Sequence, residues 1–146
     1  MKALFLLPLL FALSLRADEA QDRAAINKVI AALNDPAKRV ALFTKDVDST
    51  VDFERLVDLH RVAASWPGSI IGRDETWTQL TTPSVASGSI RFITPDVALV
   101  DGASTVEGAV TLARRVPLLF VMRREAAQWK ISAVRVLAPE APPRII

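Results

Sequence analysis

Three charged side chains interrupt apolar rows in the C-terminal half of this chain. Along Val97–Val106, strand alternation puts Val97, Leu99, Asp101, Ala103 and Thr105 on one face. On the next β-rich run Ala113, Arg115, Pro117, Leu119 and Val121 share a face, and on the last Trp129, Ile131, Ala133 and Arg135 do. Desolvation in an apolar pocket makes a carboxylate a better general base. If these rows face inward, Asp101 could take a proton while Arg115 and Arg135 hold a carboxylate or an enolate-like anion. The alternative is a structural ion pair in which the arginines merely neutralise Asp101. His60, in Leu59-His60-Arg61, is suited to proton transfer near neutral pH. It has no serine placed to complete a triad, and a lone histidine is more often a surface or satisfied structural residue. Asp52, at the end of a candidate first strand, is a further possible base. Trp66 and Trp77, on either side of Gly72, could wall the mouth of a pocket, although core packing also suits Trp77.

Composition closes off most other chemistry. The 146 residues contain no Cys, no Tyr and one His. That excludes disulfides, thiolate metal sites, cysteine nucleophiles and multi-histidine metal motifs, so no metal is expected. The five glycines, at 68, 72, 88, 102 and 108, form no phosphate-binding loop, and no cofactor is expected. What remains is carboxylate and arginine chemistry, or binding without chemistry.

The net charge of +2 is misleading. Met1-Lys2 precedes an apolar run from Ala3 to Leu13, and Leu15-Arg16-Ala17 ends on a small residue before Asp18-Glu19. This order reads as a secretory signal peptide over residues 1–17, too short to span a membrane. Its removal takes away Lys2 and Arg16, leaving basic and acidic residues in equal number. The mature chain would be secreted or periplasmic, with no basic tract for nucleic acid and no membrane attachment.

The elements that must position these residues follow from periodicity. Ile26, Val29, Ile30 and Leu33 mark one face of a helix over Asp18–Asn34, with Asp18, Glu19 and Asp22 in its first turns. Asp35-Pro36 starts a short second helix carrying Val40, Ala41 and Phe43. A first strand is expected around Thr50–Phe53, and Trp66-Pro67-Gly68 signals a turn. A third helix fits Arg73–Leu80. Then come Ser84–Thr94, Val97–Val106, Thr111–Arg124 and Gln128–Leu137, separated by short breaks, which make an antiparallel meander. Pro117 points to an edge or a bulge. By alternation Arg114 and Arg124 fall with Leu118, Phe120 and Met122, at the rim of a dimer or solvent face. Residues 18–138 form one α+β domain, and the proline-rich 139–146 is a free tail.

This order of elements resembles the nuclear transport factor 2-like superfamily, in particular its SnoaL-like (SgcJ/EcaC-type) branch. The segments that carry the likeness are Ala41-Leu42-Phe43-Thr44-Lys45-Asp46, Gly72-Arg73-Asp74-Glu75, Ile90-Arg91-Phe92-Ile93-Thr94-Pro95-Asp96-Val97-Ala98-Leu99-Val100 and Trp129-Lys130-Ile131. The resemblance implies a cone-shaped, curved antiparallel sheet packed on three N-terminal helices, a cavity between them, and a homodimer through the outer sheet face. It implies little about reaction, since that superfamily holds isomerases, cyclases, dehydratases and members of no known activity. The ketosteroid isomerase pattern is broken, because its oxyanion hole needs a tyrosine. The reading is therefore a cavity for a small, moderately apolar organic molecule. Two alternatives stand beside it: a cofactor-independent lyase or isomerase, or a dimeric interaction module whose cavity is closed.

Overall fold

A computed structural model describes residues 6–51, 54–65, 81–108 and 114–137. Asp52, Trp66, Trp77, the expected helix at 73–80 and the tail at 139–146 lie outside the described residues.

Helix α1 spans Leu6–Ala32, so it begins within the expected leader and not at Asp18. The leader's Leu and Ala residues are strong helix formers and continue the helix upstream. In the whole chain Asp18, Glu19 and Asp22 are therefore not in its first turn. Ile26, Ile30 and Leu33 are completely buried, as their spacing requires. Asp35 then caps a 3₁₀ turn at Pro36–Lys38, its carboxylate accepting the Ala37 N–H at 3.1 Å. The turn leads into α2, Arg39–Leu42. Arg39 Nε donates to the Leu33 carbonyl at 2.9 Å and so closes the end of α1.

Strand β1 covers Phe43–Val51, seven residues earlier than expected. Phe43 is thus the first residue of a strand and not the last of a helix; opposite Ile131 it is 1 % exposed, burial that a one-turn α2 could not supply. Short β2 (Glu54–Leu56) and helix α3 (Leu59–Ser65) follow. Then come β3 (Thr81–Thr94), β4 (Val97–Gly108), β5 (Arg114–Glu125) and β6 (Gln128–Val136), the expected meander. The six strands form one sheet in the order β2-β1-β6-β5-β4-β3. Only β1 and β6 run parallel among the paired strands.

One face of the sheet, here the inner face, packs on α1. It presents Ala98, Val100 and Ser104 of β4, Val116, Leu118, Phe120 and Met122 of β5, and Trp129, Ile131 and Val134 of β6, all buried. Each large aliphatic side chain removed from water here contributes about 1.5–3 kcal/mol. Gly102 belongs to the same row, where a Cβ would come within 2.7 Å of the Phe120 ring. The ring fills the space that the glycine leaves.

Irregular pairing changes which residues share a face. On β6, Met122 pairs with Ile131 but Val121 pairs with Ala133, so one residue is extra. Trp129 and Ile131 consequently face inward, whereas Ala133 and Arg135 face outward; strict alternation had joined all four. Pro117 lies in β5, between two neighbours, yet β6 stops at its level. Leu137, just beyond β6, donates its N–H to the Pro117 carbonyl at 3.0 Å. The missing N–H thus faces the end of a ladder, a local edge.

Candidate functional site

Asp101, Arg115 and Arg135 all lie on the outer sheet face, away from α1. Their rows pair as Asp101 with Leu119 and Thr105 with Arg115, while Leu119 separates Asp101 from Arg135. Asp101 and Arg115 line one shallow depression of about 160 Å³, shared with Ala86, Gly88, Ala103 and Thr105. A second irregularity, between Ser87 and Ile90 of β3, turns Ser89 toward this depression. Its hydroxyl donates to Asp101 Oδ2 at 2.5 Å. Asp101 is exposed, so it lacks the apolar enclosure that the general-base reading required. Arg115 is exposed too and has no hydrogen-bonding or ionic partner among the described residues. Arg135 is engaged elsewhere: Nη2 lies 3.3 Å from Asp48 Oδ2, and Nη1 donates to the Asp48 carbonyl at 3.0 Å. The depression can therefore hold a small polar group between a carboxylate and a guanidinium, without Arg135.

His60 is exposed on α3. The neighbouring Asp58 does not orient it. Its carboxylate accepts the Arg61 N–H at 2.9 Å, and its carbonyl accepts the Val62 N–H at 2.9 Å, so Asp58 starts the helix.

The inner face has a different chemistry. Away from the last turn of the meander, the polar side chains described on this face include the hydroxyls of Ser49, Ser87 and Ser104, with the amides of Asn27 and Asn34 beside it. Ser104 is completely buried between Val85 of β3 and Val116 of β5, and its Oγ has no hydrogen-bond partner. A buried hydroxyl in that state costs about 1–3 kcal/mol and calls for an explanation.

At the other end of the inner face stands a charged cluster that alternation had placed at a solvent or dimer rim. Arg124 Nη2 donates to Asp22 Oδ2 at 2.6 Å and to the Pro95 carbonyl at 3.1 Å, while Nε donates to Asp96 Oδ1 at 3.1 Å. Its guanidinium sits 4.7 Å from the Trp129 ring centre, and Trp129 Nε1 donates to Asp22 Oδ1 at 3.1 Å. The hydrogen bond to Asp22, outweighing desolvation, holds the Arg124 guanidinium above its ordinary pKa. Phe92 packs edge-on against Trp129 and beneath Arg23, at 6.0 and 5.1 Å between centres. These hydrogen bonds tie α1 to the β3–β4 and β5–β6 turns. The signal was available: Arg124 has the parity of Phe120 and Met122. The residues that carry the resemblance, from Phe92 to Asp96 and at Trp129, are thus largely fold-bearing.

No family model matches the chain, and no curated protein sequence matches it. Solved structures do. An NTF2-like protein with a cystatin-like fold from Novosphingobium aromaticivorans is 18% identical, with a TM-score of 0.67 over 90% of each chain. A scytalone dehydratase-like protein from the same organism is 13% identical, with a TM-score of 0.61 over 83% of this chain and 86% of that one. LinA is 15% identical, with a TM-score of 0.59 over 88% of this chain and 99% of its own. At such identities the likeness speaks for architecture alone. The chain has the α+β fold of the nuclear transport factor 2-like proteins.

Proposed function

We propose that this is an exported SnoaL-like protein that binds a small, neutral, moderately apolar organic molecule between α1 and the inner sheet face. One observation carries the reading. Among the described residues the buried polar side chains are hydroxyls, with no carboxylate, histidine or lysine among them, and that of Ser104 on the inner face has no partner. An apolar wall with one free hydrogen-bonding group suits a neutral ligand bearing a single carbonyl or hydroxyl. The lyase or isomerase alternative is less well served, since Asp101 lies on the other face, exposed and bonded to Ser89. Residues 1–17 supply the export signal, and no described helix is long and apolar enough to cross a membrane.

The outer face fits a second copy of the chain. Leu99, Pro117, Leu119, Val121 and Ala133 form a half-buried apolar field there, bordered by Arg91 and Arg115. Such a field is self-complementary across a two-fold axis.

The test is native mass spectrometry of protein secreted by its producing cell. The reading expects an N-terminus at Asp18 and an adduct of a few hundred daltons that denaturation releases. The Ser104→Ala protein should lose the adduct while keeping its near-ultraviolet circular dichroism. An adduct retained by that variant but lost in Asp101→Asn would move the site to the outer face.

A further inference from the structure

Two opposite charges stand apart at the ends of the outer-face depression, with space between them. The pairing irregularity of β3 builds one end. Ser87 pairs with Gly102 and Ile90 with Val100, so Gly88 and Ser89 together oppose Asp101. A bulge of this kind re-aims the side chains it carries. Here it brings the Ser89 hydroxyl onto Asp101 Oδ2. That bond orients the carboxylate and leaves Oδ1 without a hydrogen-bond partner among the described residues. Glycine at 88 keeps the ground beside it clear, because a Cβ there would lie 3.2 Å from the Asp101 carbonyl oxygen and 3.9 Å from the Asp101 Cβ.

Arg115 forms the other end. It stands opposite Thr105, two outward-facing positions along β4 from Asp101, which is about 13 Å of strand. Arg123, Arg124 and Arg135 each meet a carboxylate, at Asp46, Asp22 and Asp48. Arg115 meets none among the described residues, Asp101 included. Between the two charges the depression of about 160 Å³ is floored by Ala86 and the buried Ala103. Drug-sized sites run to roughly 300–1,000 Å³, so this one takes a short molecule.

We propose that this depression is a binding site for a short ω-amino acid. The ligand's carboxylate meets the Arg115 fork, its ammonium group meets Asp101 Oδ1, and the methylenes between them lie over Ala86 and Ala103. A molecule with one charge satisfies one end and leaves the other as it was. An α-amino acid carries both charges on one carbon, too close together to reach both ends. The site lies on the β3 side of the outer apolar field and takes a charged ligand, so it rests neither on the inner-face reading nor on the dimer.

The experiment titrates the isotope-labelled mature chain with 5-aminopentanoate and follows backbone amide shifts by NMR. The shifts should centre on residues 86–89, 101–105 and 115, with a Kd on the order of 1 mM for so small a molecule at a wet surface. Pentanoate and pentylamine keep one charge each, and 2-aminopentanoate keeps both but on adjacent atoms. All three should bind about tenfold more weakly or worse. Asp101→Asn and Arg115→Gln should each weaken 5-aminopentanoate about tenfold. Ser89→Ala should weaken it about threefold and Ser89→Thr should restore it, as a positioning hydroxyl requires. Equal affinity for all four probes would overturn the proposal. So would shifts confined to the inner face, unchanged binding in both charge variants, or no shift at about 50 mM probe. The probe series needs no variant, so the outcome does not hang on any substitution folding.

Discussion

Replacing Ser104 by alanine should make the ligand-free protein more stable. Ser104 is 0% exposed and its Oγ lacks a partner, so the whole desolvation cost of a hydroxyl, about 1–3 kcal/mol, weighs on the folded state. Alanine removes that cost and leaves a void of one oxygen atom, worth roughly 0.4 kcal/mol at the usual cavity coefficient. The lower strand propensity of alanine subtracts a few tenths more. The balance is a gain of about 1 kcal/mol, or about 3–5 °C in Tm for a domain of this size. The assay is urea and thermal unfolding of protein refolded from denaturant, so that any bound molecule is gone. A loss of 1 kcal/mol or more would show that the hydroxyl is bonded within the protein, and the ligand-binding argument would lose its support. A gain in stability accompanied by loss of the bound molecule is the pattern expected where a stability cost is retained for function.

Three further outcomes are expected. Arg124→Met should cost about 1–3 kcal/mol, discounted within that range for side-chain exposures of 29% and 18% at Arg124 and Asp22. Combined with Trp129→Phe in a double-mutant cycle it should show coupling through Asp22; additive losses would dissolve the cluster. In the β5–β6 turn, Ala126 and Ala127 both have positive φ, 47° and 64°. Ala126→Asn with Ala127→Gly should relieve that strain and raise stability by about 0.5–2 kcal/mol in urea unfolding, with unchanged m-value. For pH, the hydrogen bond from Arg123 holds the Asp46 carboxyl below its usual value. A lowered folded-state pKa stabilises above the unfolded value near 3.9 and loses that effect as the pH falls through the folded value. Asp46→Asn should therefore lower the urea midpoint at pH 6 and not at pH 2, with the difference shrinking in 1 M salt.

The meander and the buried face of α1 were legible because their hydrophobic periods are long and clean. Ile26, Ile30 and Leu33 recur at helical spacing, and the β3–β4 break at Thr94-Pro95-Asp96 has turn chemistry of its own. What misled was alternation carried through irregular pairing. One extra residue between Ile131 and Ala133 reverses the face of everything after it, so Arg135 parted from Trp129. The same arithmetic could relate Asp101, Arg115 and Arg135 to one another but could not say which way their row looked.

Composition by itself narrowed the chemical repertoire: without cysteine or tyrosine, and with a single histidine, carboxylates, arginines, a few lysines, hydroxyls and amides are left. Periodicity settled which segments could be strands and helices, because burial of an amphipathic face is a local pattern. The facing of the sheet was decided only in three dimensions, where α1 covers the Phe120 row and leaves the Asp101 row to solvent. The pairing of Arg124 with Asp22, 102 residues away in sequence, and the seating of Asn34 on the edge of β3 were decided there too. A hydrogen bond depends on where two groups end up, and no local spacing records that.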